Sequence, residues 1–243
     1  MGSVSYILIS QQEALRKQMD IIANNIANVS TPGFKSGNIA FKEYLSKPAD
    51  GDPTSYVQFS GTALDLTQGP ISHTGADFDF AINGQGYFSI GAATGTQYTR
   101  NGHFRLDNNG QIVNDNGDPL LSESGAPIII PSAAQKITVM KEGTIYADNA
   151  IIGKIGLVNF PYPQKLASES GGIFKVVPDT DNRPTKVTKV ELIQGSLEEA
   201  NVQGVVEMTK MMQVARSYES AQKIIDKEDD RIRQAIRRLS QNQ

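Results

Sequence analysis

Cysteine and tryptophan are both absent from the 243 residues. Without thiols there is no disulfide, no thiolate nucleophile and no cysteine-ligated metal. Histidine is nearly absent too. His73 and His103 are the only two, too few and too far apart in the chain for a metal site, so they read as surface residues. No run of 18 apolar residues occurs, so no membrane span is expected. The opening MGSVSYILISQQEALRKQMD lacks a basic start, a long apolar run and a small-residue cleavage site. No cleaved secretory signal is therefore expected, and composition alone would place the chain in the cytoplasm.

An excess of one charge is also missing. The 23 basic and 26 acidic residues leave a formal net charge of −3. Nucleic acid and anionic membrane surfaces have no electrostatic footprint here. Aromatics make up 7% and hydrophobic residues 39%, which is modest core material for this length. Part of the chain is expected to be ordered by partners.

What is present falls into three zones. From Ser3 to Val29, Leu8, Leu15, Met19, Ile22, Ile26 and Val29 recur on steps of three and four, with Gln12 as a polar interruption. That is the apolar seam of a helix roughly 40 Å long. Thr31-Pro32-Gly33 ends it. From Glu198 to Leu239 the same spacing returns in Met211, Val214, Tyr218, Ala221, Ile225, Ile232, Ala235 and Leu239. Glu219 with Lys223, and Asp229 with Arg233, supply acid-first pairs four apart. Between the helices Asn-Gly occurs four times, at 83–84, 101–102, 109–110 and 116–117. This is the strongest short hairpin signal. Short β-forming runs flank these pairs, as an antiparallel sandwich or barrel-like domain requires. Residues 46–56, with Pro48 and Pro53, read as a linker or extended loop.

Three amides, Asn24, Asn25 and Asn28, crowd the last turns of the first helix. Asn is a mediocre helix former, so such a cluster is costly unless it hydrogen-bonds something. Other candidates are weaker. Gly84-Gln85-Gly86 has no third glycine and opens no helix, so it is no dinucleotide loop. Asp107-Asn108-Asn109-Gly110 lacks the closing Glu of a Ca²⁺ loop and reads as a turn. Asp77 and Asp79 share one side of a strand and read as a solvated face. No phosphate loop and no clustered acid–nucleophile set is present. No cofactor, no metal and no catalytic activity are expected. A β-domain hydrolase with helical anchors and a secreted scaffold remain as rival readings.

The segment ANNIANVSTPGFK, Ala23 to Lys35, resembles the N-terminal signature of bacterial flagellar basal-body rod and hook proteins. Three more segments resemble that family in order: DFDFAINGQGYFSI (77–90), YTRNGHFRLDNNGQIVNDNG (98–117) and the C-terminal helix from Gly195 to Asp229. Ile26 stands where the family often has Leu, a swap that keeps the volume. The short connection from Lys35 to Asp77, and the segment Gly156 to Val176, resemble the proximal rod protein F (FlgF) type. The distal rod and hook types are the alternative.

The resemblance implies an α+β fold. Long N- and C-terminal helices would pair as a coiled-coil-like helical domain, with an antiparallel β-rich domain inserted between them. The expected divisions are 1–35 for the first helix, 36–76 for an extended linker, 77–196 for the β domain and 197–243 for the second helix. It further implies a structural subunit of the rod, self-assembling through its terminal helices into a drive shaft that transmits torque and encloses an export channel. Its partners would be other rod proteins, copies of itself and the flagellar type III export apparatus, with a periplasmic address. The assembly interface would comprise Leu8, Leu15, Met19, Ile22, Asn24, Asn25, Ile26, Asn28 and Phe34 at one end. At the other it would comprise Met211, Val214, Tyr218, Ile225 and Ile232.

Overall fold

The computed structural model describes residues 2–46, 54–148, 150–169, 171–178, 181–187 and 191–241. Side chains at 2–8, 41–46, 54–60, 229, 232, 235, 236 and 238–241 lie outside that description. The chain divides into two compact units. One comprises residues 1–27, 37–64 and 203–243, the other residues 28–36 and 65–202.

The first unit holds α1 (Gly2–Ala27), α2 (Gly204–Gln241) and a hairpin of β1 (Gly37–Ser46) and β2 (Thr54–Leu64). The helices are antiparallel. Gln12 hydrogen-bonds Gln222, and Asn25 hydrogen-bonds Glu207, so positions ascending in α1 meet positions descending in α2. Ile22, Val214 and Ala221 are buried, while Leu15, Met19, Met211, Tyr218 and Ile225 are half-buried. In the hairpin Phe41 stands opposite Phe59 and Tyr44 opposite Tyr56, with a bulge between Ala40 and Phe41.

This corrects the expected architecture. A coiled-coil-like helical domain with a β-rich insertion is not what forms. Among the described residues there are two α-helices and seventeen strands, and the chain is largely β. Even the helices share their unit with a hairpin of ten- and eleven-residue strands. The physical reason lies in residues 37–64. Pro48 and Pro53 suggest a linker, but the runs on either side, Ile39-Ala40-Phe41 and Tyr56-Val57-Gln58-Phe59, are rich in β-branched and aromatic residues that favour a pleated strand. Of the segment read as a linker, residues 47–53 lie outside the described residues.

The second unit is built on a six-stranded antiparallel sheet. Its order is Leu166–Glu169, Ile173–Val176, β6 (Gly95–Thr99), β5 (Tyr87–Ala92), Leu157–Asn159, Thr185–Lys186. Smaller ladders surround it. β3 (Ile71–His73) pairs with Ser196–Glu198, and β4 (Phe80–Asn83) pairs with Glu191–Gln194. Phe80, Ile82, Phe88, Ile90, Ile112, Leu120, Ile145 and Ile155 are almost fully buried and form one core. Phe88 meets Phe104 edge to face at 5.5 Å between centroids, a favourable aromatic geometry.

Two of the four Asn-Gly pairs are tight turns. Gly110 N–H donates to Asp107 O at 3.1 Å and Gly117 N–H to Asn114 O at 3.1 Å. The others link strands of different ladders, because β4 pairs with 191–194 rather than with β5. Asp79 also departs from expectation. It is buried, not solvated, and accepts hydrogen bonds from Thr74 Oγ1 at 2.6 Å and His103 Nδ1 at 2.7 Å.

Candidate assembly interface

In the helical unit Asn25 sits where α1 ends, β1 begins and α2 begins. Its Nδ2 donates to Gly37 O at 2.9 Å and to Glu207 Oε2 at 3.1 Å, and its Oδ1 accepts from Gly37 N–H at 2.9 Å. All three residues are buried and both ends of the amide are satisfied, which is the condition for an amide to be tolerated inside. Glu207 lies in the first turn of α2, where a carboxylate suits the exposed N–H groups. Its other oxygen accepts from Lys210 Nζ at 2.6 Å.

The β unit has a charged node of its own. Glu198 is 1% exposed, Lys35 3% and Arg100 7%. Glu198 Oε1 lies 2.5 Å from Lys35 Nζ, and Oε2 lies 3.1 Å from Arg100 Nη1. Oε1 also accepts from Gly69 N–H at 3.1 Å, and the Glu198 carbonyl accepts from Gly33 N–H at 2.7 Å. Lys35 Nζ makes a second bond to Thr67 O at 2.7 Å, and Arg100 Nη2 one to Gly84 O at 2.8 Å. Burial pushes the Lys35 ammonium below its ordinary pKa, against the opposing pull of Glu198. Burial likewise pushes the Tyr87 phenol up, beneath the Arg100 guanidinium 5.3 Å from its ring centre. Gly33 is at φ +69°, and a Cβ there would come within 2.3 Å of the Arg100 carbonyl carbon. Only glycine fits. Asn201 fastens the same region, accepting from Ser36 N–H at 2.7 Å and donating to Asp65 O at 2.8 Å.

The expected interface residues divide between the two units. Ile22 and Asn25 of α1 are buried with Val214 of α2 in the helical unit. Leu15, Met19, Ile26, Met211, Tyr218 and Ile225 are half-buried there, and Asn24 is exposed. Asn28 and Phe34 belong to the β unit, Phe34 being buried. The side chains of Leu8 and Ile232 lie outside the described residues. A second face of α2 went unnoticed in the sequence. Val205, Met208 and Met212 are 80%, 55% and 54% exposed. Spaced at steps of three and four, they form an apolar stripe opposite the Val214 side of the helix.

Among the described residues no group of three or more His, Asp or Glu is placed to hold a metal ion. No helix there is long and apolar enough to cross a membrane.

Three family models match the chain. Residues 6–35 match the flagella basal body rod protein model, 81–147 the flagellar hook protein FlgE/F/G D1 domain, and 193–238 the flagellar basal body rod FlgEFG protein C-terminal region. The flagellar basal-body rod protein FlgF of Caulobacter vibrioides is 37% identical over 98% of each chain. The chain belongs to the flagellar basal-body rod protein family. Among its relatives are also the FlgG of Bacillus subtilis, 31% identical over 95% of this chain and 97% of that one, and the FlgF of Escherichia coli, 30% identical over 99% of both. This is a structural family, not an enzymatic one, and it places the rod protein in the flagellar basal body with other flagellar components. Both polar nodes of the rod protein join separate matched segments. Asn25 and Glu207 come from the first and third, and Lys35, Arg100 and Glu198 from all three.

Proposed function

We propose that this rod protein is a proximal rod subunit that self-assembles through α1 and α2 into the axial drive shaft. The helices would line the axis around an export channel and carry torque from subunit to subunit. Copies of the same chain, other rod subunits and the type III export apparatus would be its partners. One observation carries the reading: the exposed stripe of Val205, Met208 and Met212 on the first three turns of α2. Exposed apolar side chains in a row are costly in a free chain and become useful when another surface covers them. Leu15, Ile22, Val214 and Ile225 serve the other face of the helix pair. Similarity to FlgF relatives along the whole length favours the proximal type.

The double change Met208→Asp with Met212→Asp tests this. The two side chains are already exposed, so the unfolding midpoint in urea should hardly move. The variant subunit should be missing from isolated basal bodies and the cells should be non-motile. Normal incorporation and swimming would sink the proposal.

A further inference from the structure

The four Asn-Gly pairs differ in a way that bears on chemistry rather than on turns. An Asn followed by Gly is prone to cyclise, because no Cβ shields the glycine nitrogen. Two things hold the reaction back in a folded chain: hydrogen bonds on the asparagine amide and fixation of the following glycine. Asn83 is held by Glu191 at 3.2 Å, and Gly84 N–H donates to Gln68 Oε1 at 3.1 Å. Asn101 Oδ1 accepts from His103 N–H at 2.9 Å, and Gly102 is buried, its carbonyl accepting from Phe80 N–H at 3.0 Å. Asn109 Nδ2 donates to Asp107 Oδ2 at 3.3 Å, and Gly110 O accepts from Ile130 N–H at 2.7 Å. Asn116 is different. It is exposed, and its side chain makes no hydrogen bond among the described residues. Gly117 has φ +88° and open space around it, with only the turn bond to Asn114 O.

We propose that Asn116 is the site of spontaneous deamidation in the native protein. The Gly117 nitrogen attacks Asn116 Cγ. The new N–Cγ bond closes a succinimide, the Cγ–Nδ2 bond breaks, and ammonia leaves with the proton taken from the Gly117 amide. Water then opens the ring at either carbonyl, giving aspartate or isoaspartate at position 116. Either product adds a negative charge next to Asp115, which lies 3.9 Å from His103 Nε2. The isoaspartate product also lengthens the turn backbone by one atom.

The experiment is incubation of the purified full chain in mildly alkaline buffer, followed by peptide mass spectrometry and enzymatic methyl-labelling of isoaspartate. Position 116 should react first. Position 109 should lag by roughly fivefold for each additional hydrogen bond that must open, and positions 83 and 101 should lag further. In denaturant the four rates should converge. Asn116→Gln should remove most of the ammonia released by the native chain, and Asn109→Gln should remove little. The proposal is overturned if position 83, 101 or 109 matches or leads 116 in the native chain. It is equally overturned if 116 is silent there while reacting in denaturant.

Discussion

Glu198 meets Lys35 across 163 residues of chain, at 2.5 Å and out of contact with water. Arg100 completes the group, so one carboxylate is shared by two cations. Breaking such a group by removing one partner is far more damaging than never having built it. Glu198→Gln should therefore cost about 3–5 kcal/mol in urea unfolding of the β unit. The triple change Lys35→Met, Arg100→Met, Glu198→Leu should cost clearly less than the single one. A single change within about 1 kcal/mol of wild type would contradict the role of this buried ion group.

Asn25→Leu removes three hydrogen bonds and leaves Gly37 N–H and the Glu207 carboxylate short of partners. The expected loss is about 1–3 kcal/mol in the helical unit. It should be read from helical circular dichroism in urea, with the amide spectrum of the β unit unchanged. Motility should fall as well. Wild-type stability with this variant would remove Asn25 from its role at the meeting of α1, β1 and α2.

Ile225→Asp puts a carboxylate on the half-buried side of α2. Subunits with this change should be exported but absent from basal bodies, and filaments should be missing. Asp77→Asn, on an exposed residue, should be neutral. A motile Ile225→Asp strain alongside a non-motile Asp77→Asn strain would point back to carboxylate chemistry in the β unit. Export and incorporation are scored separately by immunoblots of the medium and of purified basal bodies.

Acid should weaken the β unit in a predictable window. The Thr67 N–H holds the Asp65 carboxyl below its ordinary 3.8, those of Gln111 and Asn109 do so for Asp107, and Lys186 with Lys154 holds Glu123 below 4.5. Each group takes up a proton more readily when unfolded. Its contribution is complete above the ordinary carboxylate range and is lost as pH falls through the folded value. The urea midpoint should be flat from neutrality down to that range and then drop. Asp107→Asn should make the drop shallower. A midpoint that rises on acidification would contradict the sign of all three shifts.

The helices were legible because their seams repeat over many turns. The first was expected over 3–29 and lies at Gly2–Ala27. The second was expected from Glu198 and starts at Gly204, since Ser196–Glu198 is a strand against β3. Periodicity could not see this, because Glu198 looks like an ordinary acidic first turn until Lys35 and Arg100 are known to lie beside it. Lys35 itself closes the ANNIANVSTPGFK segment just after a turn, and nothing in the local sequence marks it as buried. The cost of three amides at the end of α1 did signal a bonding role, and Asn25 bears it inside the helical unit. The β1–β2 hairpin was obscured by its prolines. The Val205 stripe was overlooked because an apolar seam on the other face already accounted for the helix.

The Glu198 cluster also fixes when the β unit can be finished. Its carboxylate comes late in the chain, and its two cationic partners come earlier. The late strands Glu191–Gln194 and Ser196–Glu198 pair with β4 and β3, among the earliest of the unit. Without Glu198 in place, Lys35 and Arg100 lack their counter-charge, and β3 and β4 lack their partner strands. Long-range closures of this kind fold slowly, because the loop must be shut before its contacts count. The β unit therefore closes only once residue 198 is available, and this closure is expected to be its slow, late folding step.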